Sequence, residues 1–156
     1  MDADALFDGW ERAWSGRDPK AFDPLCDPGV RYEDPLCPEP LDGAAAIAAH
    51  AAQLWDAFPD ARLNRTGERL YGGSYACAPC KLLGTHRGRL GGRIAATGRA
   101  LEVHVLVYAE LREERLLRVR AFYDVWDAAR ELGIVPRAGT ASERAMLLLR
   151  GFGLRA

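Results

Sequence analysis

The order of patterns along the chain predicts an α+β fold, with helices gathered on one face of a largely antiparallel sheet. Three observations carry this. Helical spacing of apolar residues dominates up to Phe58, strand-like alternation dominates from Ala61 to Asp124, and Gly72-Gly73 and the charged run Leu111 to Arg115 separate strands at hairpin lengths. The 156 residues are enough for one domain with a real core, spanning 1–156.

The elements follow in order. Leu6, Phe7, Trp10, Ala13 and Trp14 lie at helical spacing over Ala3 to Ser15, ended by Gly16. Asp18 is placed to cap a short second helix through Leu25. Val30 to Asp34 reads as a short strand, and Pro35 to Pro40 as a proline-rich loop. Asp42 is expected to cap a long helix from Gly43 to Phe58, with Ile47, Ala51, Leu54, Trp55 and Phe58 on one stripe. Ala61 to Tyr71 and Ser74 to Thr85 read as a hairpin about Gly72-Gly73, and His86 to Ala96 as a solvated, flexible lid. Arg99 to Leu111 and Leu116 to Asp124 form a second hairpin. Val125 to Leu132 is a short helix with Gly133 as its C-cap, and Ser142 is placed to cap a last helix, Glu143 to Arg150. A bent sheet wrapped on helices leaves a cone with one open end, a shape suited to an apolar pocket holding a few polar groups.

Composition excludes several classes. Hydrophobic residues make up 49% and charged residues 28%, so the chain is globular. With 21 basic and 22 acidic residues it has no basic excess for nucleic acid or a membrane surface. The acidic start Met1-Asp2-Ala3-Asp4 is the wrong charge for a signal peptide, and no apolar run approaches a membrane span. A cytoplasmic location is the expectation. Cys77-Ala78-Pro79-Cys80 matches a CxxC pattern but sits in a strand, not at a helix start. Cys26 and Cys37 are spaced wrongly for a zinc knuckle. No metal and no cofactor are expected.

Gly84-Thr85-His86-Arg87-Gly88, Ala96-Thr97-Gly98-Arg99 and Tyr123-Asp124 with Leu132-Gly133, preceded by Tyr32-Glu33-Asp34-Pro35, Pro40-Leu41-Asp42-Gly43 and Phe58-Pro59-Asp60-Ala61, resemble the SnoaL-like polyketide cyclases. That family belongs to the nuclear-transport-factor-2-like (ketosteroid-isomerase-like) superfamily, and the resemblance runs from about Ala5 to Pro136. It implies a cone-shaped fold, a curved antiparallel or mixed sheet packed on N-terminal helices, and cofactor-independent acid/base chemistry on an oxygenated apolar small molecule. A polyketide-type intermediate closing a ring by aldol or epoxide-opening chemistry is the implied substrate. The same fold also hosts non-catalytic binding modules.

The resemblance assigns the acid/base role to Asp124 at the end of the last strand, with His104 on the strand before it. Alternation puts Arg120, Phe122 and Asp124 on one face, and Glu102, His104, Leu106 and Tyr108 on one face of the neighbouring strand. A buried acid at Asp124 would have a raised pKa; the competing reading is an N-cap for the helix that follows. Arg120 reads as a substrate contact or as an ion-pair partner, and His104 as a pocket residue or as part of an outer face. Tyr32 and Asp34 border the pocket mouth. Trp55, Phe58, Tyr108 and Phe122 are core aromatics, some of them lining the pocket. His50 and His86 read as structural or exposed. The apolar row Leu101, Val103, Val105 and Val107 suggests a sheet face that forms a homodimer, unless helices cover it.

Overall fold

The computed structural model describes residues 3–151; Met1-Asp2 of the acidic start lie outside the described residues. Helix α1 (Ala3–Gly16) is followed by a single 3-10 turn, Pro19–Phe22, where Asp18 Oδ1 accepts the Lys20 N–H. Strand β1 (Cys26–Glu33) and the two-residue β2 (Leu41–Asp42) lead into α2 (Ala44–Ala57). Asp42 is therefore part of a strand pair. The N-cap of α2 is Gly43, at φ 86°, a left-handed conformation that disfavours any side chain and leaves no side-chain cap.

The expected strand over Ala61 to Tyr71 is split into β3 (Arg62–Arg65) and β4 (Leu70–Gly72). Both pair antiparallel with β5 (Tyr75–Thr85), β4 along Tyr75–Cys77 and β3 along Cys80–Leu83. The second hairpin is β6 (Ala100–Arg112) with β7 (Arg115–Phe122), turned by Glu113 and Glu114, both at positive φ. Helices α3 (Val125–Glu131) and α4 (Ala141–Gly151) close the described chain. The first turn of α4 is capped by Thr140, whose Oγ1 accepts the Glu143 N–H; Ser142 instead lies inside the helix.

The strands form one open sheet in the order β2-β1-β7-β6-β5-β3, with β4 also on β5. β1 runs parallel to β7, so the sheet is mixed. Register shifts between Cys26 and Arg31 and between Glu110 and Leu111 break the ladders where such irregularities bend strands. The core lies between α1, α2 and one sheet face. It contains Leu6, Phe7, Trp10, Trp14 and Phe22 from the N-terminal segment, and Leu101, Val103, Val105, Val107, Val119 and Ala121 from the sheet. The apolar row of β6 is thus core, not a self-association face. The opposite sheet face carries the exposed Tyr75, Leu106 and Phe122.

The segment after β5 is bound to the body, contrary to the expectation of a free lid. The N–H groups of Arg87 and Gly88 both donate to the Ala57 carbonyl at the end of α2. A Cβ at Gly88 would sit 1.8 Å from the Asp56 carbonyl oxygen, so only glycine fits this approach. His86 is fully buried, stacked on Phe58, with Nδ1 at 3.1 Å from Thr97 Oγ1. One end of α1 is fixed by Arg69, whose guanidinium is buried against Asp4, Asp8 and Glu11. Among the described residues no helix is long and apolar enough to cross a membrane.

Candidate active site

Strand β1 ends at Tyr32-Glu33 and runs on into Asp34-Pro35. The two-residue period puts Tyr32 and Asp34 on the same, inward face. Pro35 holds the backbone of Asp34 extended, and the chain then turns back on the Asp34 side chain. Asp34 Oδ1 accepts the N–H groups of Leu36 at 2.7 Å and Cys37 at 3.1 Å. Its Oδ2 accepts the Tyr32 hydroxyl at 2.9 Å and lies 2.7 Å from His50 Nε2. The carboxylate thus holds four donors while its side chain is only 4% exposed.

His50 comes from α2. Ile47, His50 and Leu54 follow at helical spacing, so the imidazole falls on the flank of the buried stripe and keeps 18% exposure. The alanines around it let α2 approach β1 closely. Trp14 meets the imidazole edge-on at 6.2 Å, and the Tyr32 ring lies 6.0 Å away. Cys37 Sγ is 3.7 Å from His50 Nε2. Tyr123, just beyond β7, interacts with the same carboxylate in addition to these donors.

Burial alone would raise the pKa of Asp34. The hydrogen bond and charge of His50, the Leu36 N–H and the Tyr32 hydroxyl outweigh it and hold the carboxyl below its ordinary value. Burial first, and the Asp34 charge second, push Tyr32 and Tyr123 well above the ordinary phenol range, so both remain donors. The same two causes push the Cys37 thiol up to about 11, leaving it protonated at neutral pH. An ionised Asp34 can only accept, so the His50 tautomer with the proton on Nε2 satisfies the network. Nδ1 takes no hydrogen bond among the described residues. The arrangement is a carboxylate-oriented imidazole with one free nitrogen at the edge of the core.

The other sequence-predicted positions do not converge here. Asp124 is exposed and is the N-cap of α3, its Oδ1 accepting the Asp127 N–H at 2.9 Å. The buried position expected for it is absent. Glu102 and His104 lie on the outer sheet face, Glu102 paired with Lys81. Tyr108 is on that face, stacked on Tyr75 at 5.9 Å. Arg120 points the same way and meets Glu33 Oε2 at 3.3 Å, and Phe122 is 53% exposed. Trp55 is a core residue that donates its indole N–H to the Trp14 carbonyl at 2.7 Å, and Phe58 is buried against His86. The error has one physical source. Helices cover the odd-numbered row of β6, and every even-numbered residue from Glu102 to Tyr108 is turned outward with it.

The expected apolar pocket is filled by Trp10, Trp14, Phe22 and Tyr32, whose rings contact one another at 5.6–5.9 Å. An open cleft of about 400 Å³ is lined by Gln53, Asp56, Arg89, Gly91 and Gly92, and one of about 260 Å³ by residues of α1 and β3. None of the residues around Asp34 lines either cleft; His50, Cys37 and Tyr123 are partly exposed members of that cluster. Sequence reasoning placed Tyr32 and Asp34 at the mouth but missed His50, Cys37 and Tyr123. The spacing of His50 three residues after Ile47 and four before Leu54 was the available signal.

The cysteines do not form a site of their own. Cys77 and Cys80, three residues apart, face opposite sides of β5, and all four cysteines are free. Burial pushes the thiols of Cys26 and Cys80 up to about 12.

No curated protein sequence matches the chain. Solved structures with the same fold include TsrD of Streptomyces laurentii, at 21% identity and a TM-score of 0.73 over 83% of this chain and 93% of that one. IdmH of Streptomyces antibioticus is 19% identical with a TM-score of 0.73, over 85% of this chain and 99% of that one. A Catenulispora acidiphila protein described as having a ketosteroid-isomerase-like fold, in complex with trimethylamine, is 16% identical with a TM-score of 0.71, over 82% of this chain and 92% of that one. The mixed sheet packed on N-terminal helices is this cone-shaped, nuclear-transport-factor-2-like fold. The family model for SnoaL-like polyketide cyclases matches residues 5–132, and with that match the chain belongs to the SnoaL-like polyketide cyclase family.

Proposed function

We propose that the protein is a cofactor-independent acid/base catalyst of the cyclase or isomerase kind, acting on an oxygenated, largely apolar small molecule of polyketide type, with His50 as the proton-transferring group. The observation that carries this is the 2.7 Å contact between His50 Nε2 and the buried, ionised Asp34, itself fixed by Tyr32 and two backbone N–H groups. Asp34 orients the ring and stabilises the imidazolium. The free Nδ1 takes a proton from a carbon next to a carbonyl. In an aldol-type closure the resulting enolate carbon attacks a second carbonyl, and the imidazolium returns the proton to the new alkoxide.

The test is deuterium incorporation into an aromatic β-keto ester, followed by proton NMR. Wild-type protein is expected to accelerate exchange. His50→Gln, which keeps an amide donor for Asp34 but has no basic nitrogen, is expected to lose about 10²–10⁴-fold. Unchanged exchange in His50→Gln sinks the assignment. The filled interior favours a second reading, a binding module that uses the same cluster without turnover; ligand affinity with no exchange in any variant is its signature.

A further inference from the structure

Asp34, Cys37 and His50 bring three different ligand types to one point: a carboxylate oxygen of Asp34, Cys37 Sγ and a ring nitrogen of His50 all lie within 4.8 Å of one another. The Asp34-Pro35-Leu36-Cys37 turn makes this possible. Oδ1 closes the turn by accepting the Leu36 and Cys37 N–H groups, which brings the thiol back over the carboxylate and leaves Oδ2 pointing at α2. Zinc bonds of about 2.0–2.3 Å to N, O and S in a tetrahedron separate the ligand atoms by roughly 3.3–3.6 Å. The Sγ to Nε2 distance is 3.7 Å, and the Nε2 to Oδ2 distance of 2.7 Å has to open by about 0.6 Å.

We propose that these three side chains form a binding site for a single zinc-type divalent cation, which takes the place of the proton shared between His50 and Asp34. A carboxylate and a thiolate carry two negative charges, so a divalent ion makes the half-buried site neutral. Thiolate and imidazole favour zinc or cobalt over magnesium and calcium. Three protein ligands leave a fourth position open for water or a substrate oxygen. A metal on Nε2 moves the ring proton to Nδ1. This consequence rests on the preceding reading of His50 as the base; the binding itself does not.

The experiment uses the full chain titrated with Co²⁺ and then Zn²⁺. Expected are a thiolate-to-cobalt charge-transfer band saturating at one ion, its loss on adding zinc, and release of about one proton per ion in calorimetry run in two buffers. Cys37→Ser should abolish the band, and His50→Gln should weaken binding roughly tenfold or more. Cys77→Ser should leave both unchanged. One equivalent of zinc should suppress deuterium exchange, and a chelator should restore it. No band, or a band that survives Cys37→Ser, overturns the site. If exchange is absent with and without metal, the proton-transfer reading fails while the cobalt band still decides the metal site.

Discussion

Asp34→Asn is the most informative single substitution, because the amide keeps the shape and removes the charge. At Oδ1 the amide oxygen still accepts from Leu36 and Cys37. At the other position an NH₂ group now faces two donors, the Tyr32 hydroxyl and His50 Nε2. Both can adapt, the phenol by rotating its proton and the imidazole by moving its proton to Nδ1. What is lost is the charge. A hydrogen bond to a charged group contributes about 1.5–3 kcal/mol and a neutral one about 0.5–1.5. Four bonds each weakened by about 1 kcal/mol set an upper limit near 4, and retained geometry brings the expected loss to about 2–4 kcal/mol at pH 7. That corresponds to a fall in Tm of about 5–15 °C for a chain of this size. The pH dependence has a definite sign. The folded-state pKa of Asp34 is depressed, so its stabilisation is fully present above the unfolded value of about 3.9 and is lost as pH falls through the lower folded value. The gap between wild type and variant, read from urea unfolding by tryptophan fluorescence, should therefore be large at pH 7 and shrink below about pH 4. A gap of the same size at both pH values, or none at pH 7, refutes the reasoning. The tautomer shift also places a proton on Nδ1, so the variant should lose deuterium exchange even where it is folded.

Arg69→Met should cost about 1–3 kcal/mol, because it removes the buried cation that joins α1 to the segment before β4 and leaves Glu11, the least exposed of its three partners, without it. Calorimetry reads this, and a loss under about 1 kcal/mol would show that these ion pairs do not hold α1 to the segment before β4. Asp124→Asn should leave both stability and exchange nearly unchanged, since Asn caps as well as Asp, while Asp124→Ala should cost about 1 kcal/mol in urea unfolding with no effect on exchange. A large loss of exchange in Asp124→Asn would return the catalytic role to that residue.

The elements were legible in the sequence because each rests on a local rule. The apolar spacing from Leu6 to Trp14, the alternation along β6 and the charged turn at Glu113-Glu114 act within a few residues. Alternation sorts a strand into two faces but does not say which one is covered. Leu101, Val103, Val105 and Val107 against Glu102, His104, Leu106 and Tyr108 was a correct division, and the sign was decided by contacts far away in sequence. Assigning the chemistry to the mixed face sent Asp124, His104, Arg120 and Phe122 to the wrong side together. The placement of Tyr32 and Asp34 side by side was legible because their spacing and the following proline are local. The contact of His50 with them was not, because it arises only where α2 meets the end of β1.

The composition of that meeting point argues for chemistry over packing. A cluster needed only to fill space would be served by apolar side chains, without the cost of burying a carboxylate. Here one anion is enclosed by two tyrosines, two backbone N–H groups and an imidazole, and Asp34 is satisfied on every side. The imidazole is satisfied on one nitrogen only, and its side chain keeps 18% exposure against 4% for Asp34. Full satisfaction of the inner partner fixes the ring, while the outer one keeps an unfilled valence, which the proposed proton transfer uses. Proton transfer requires both features, and a structural core histidine requires neither the buried charge nor the exposed edge.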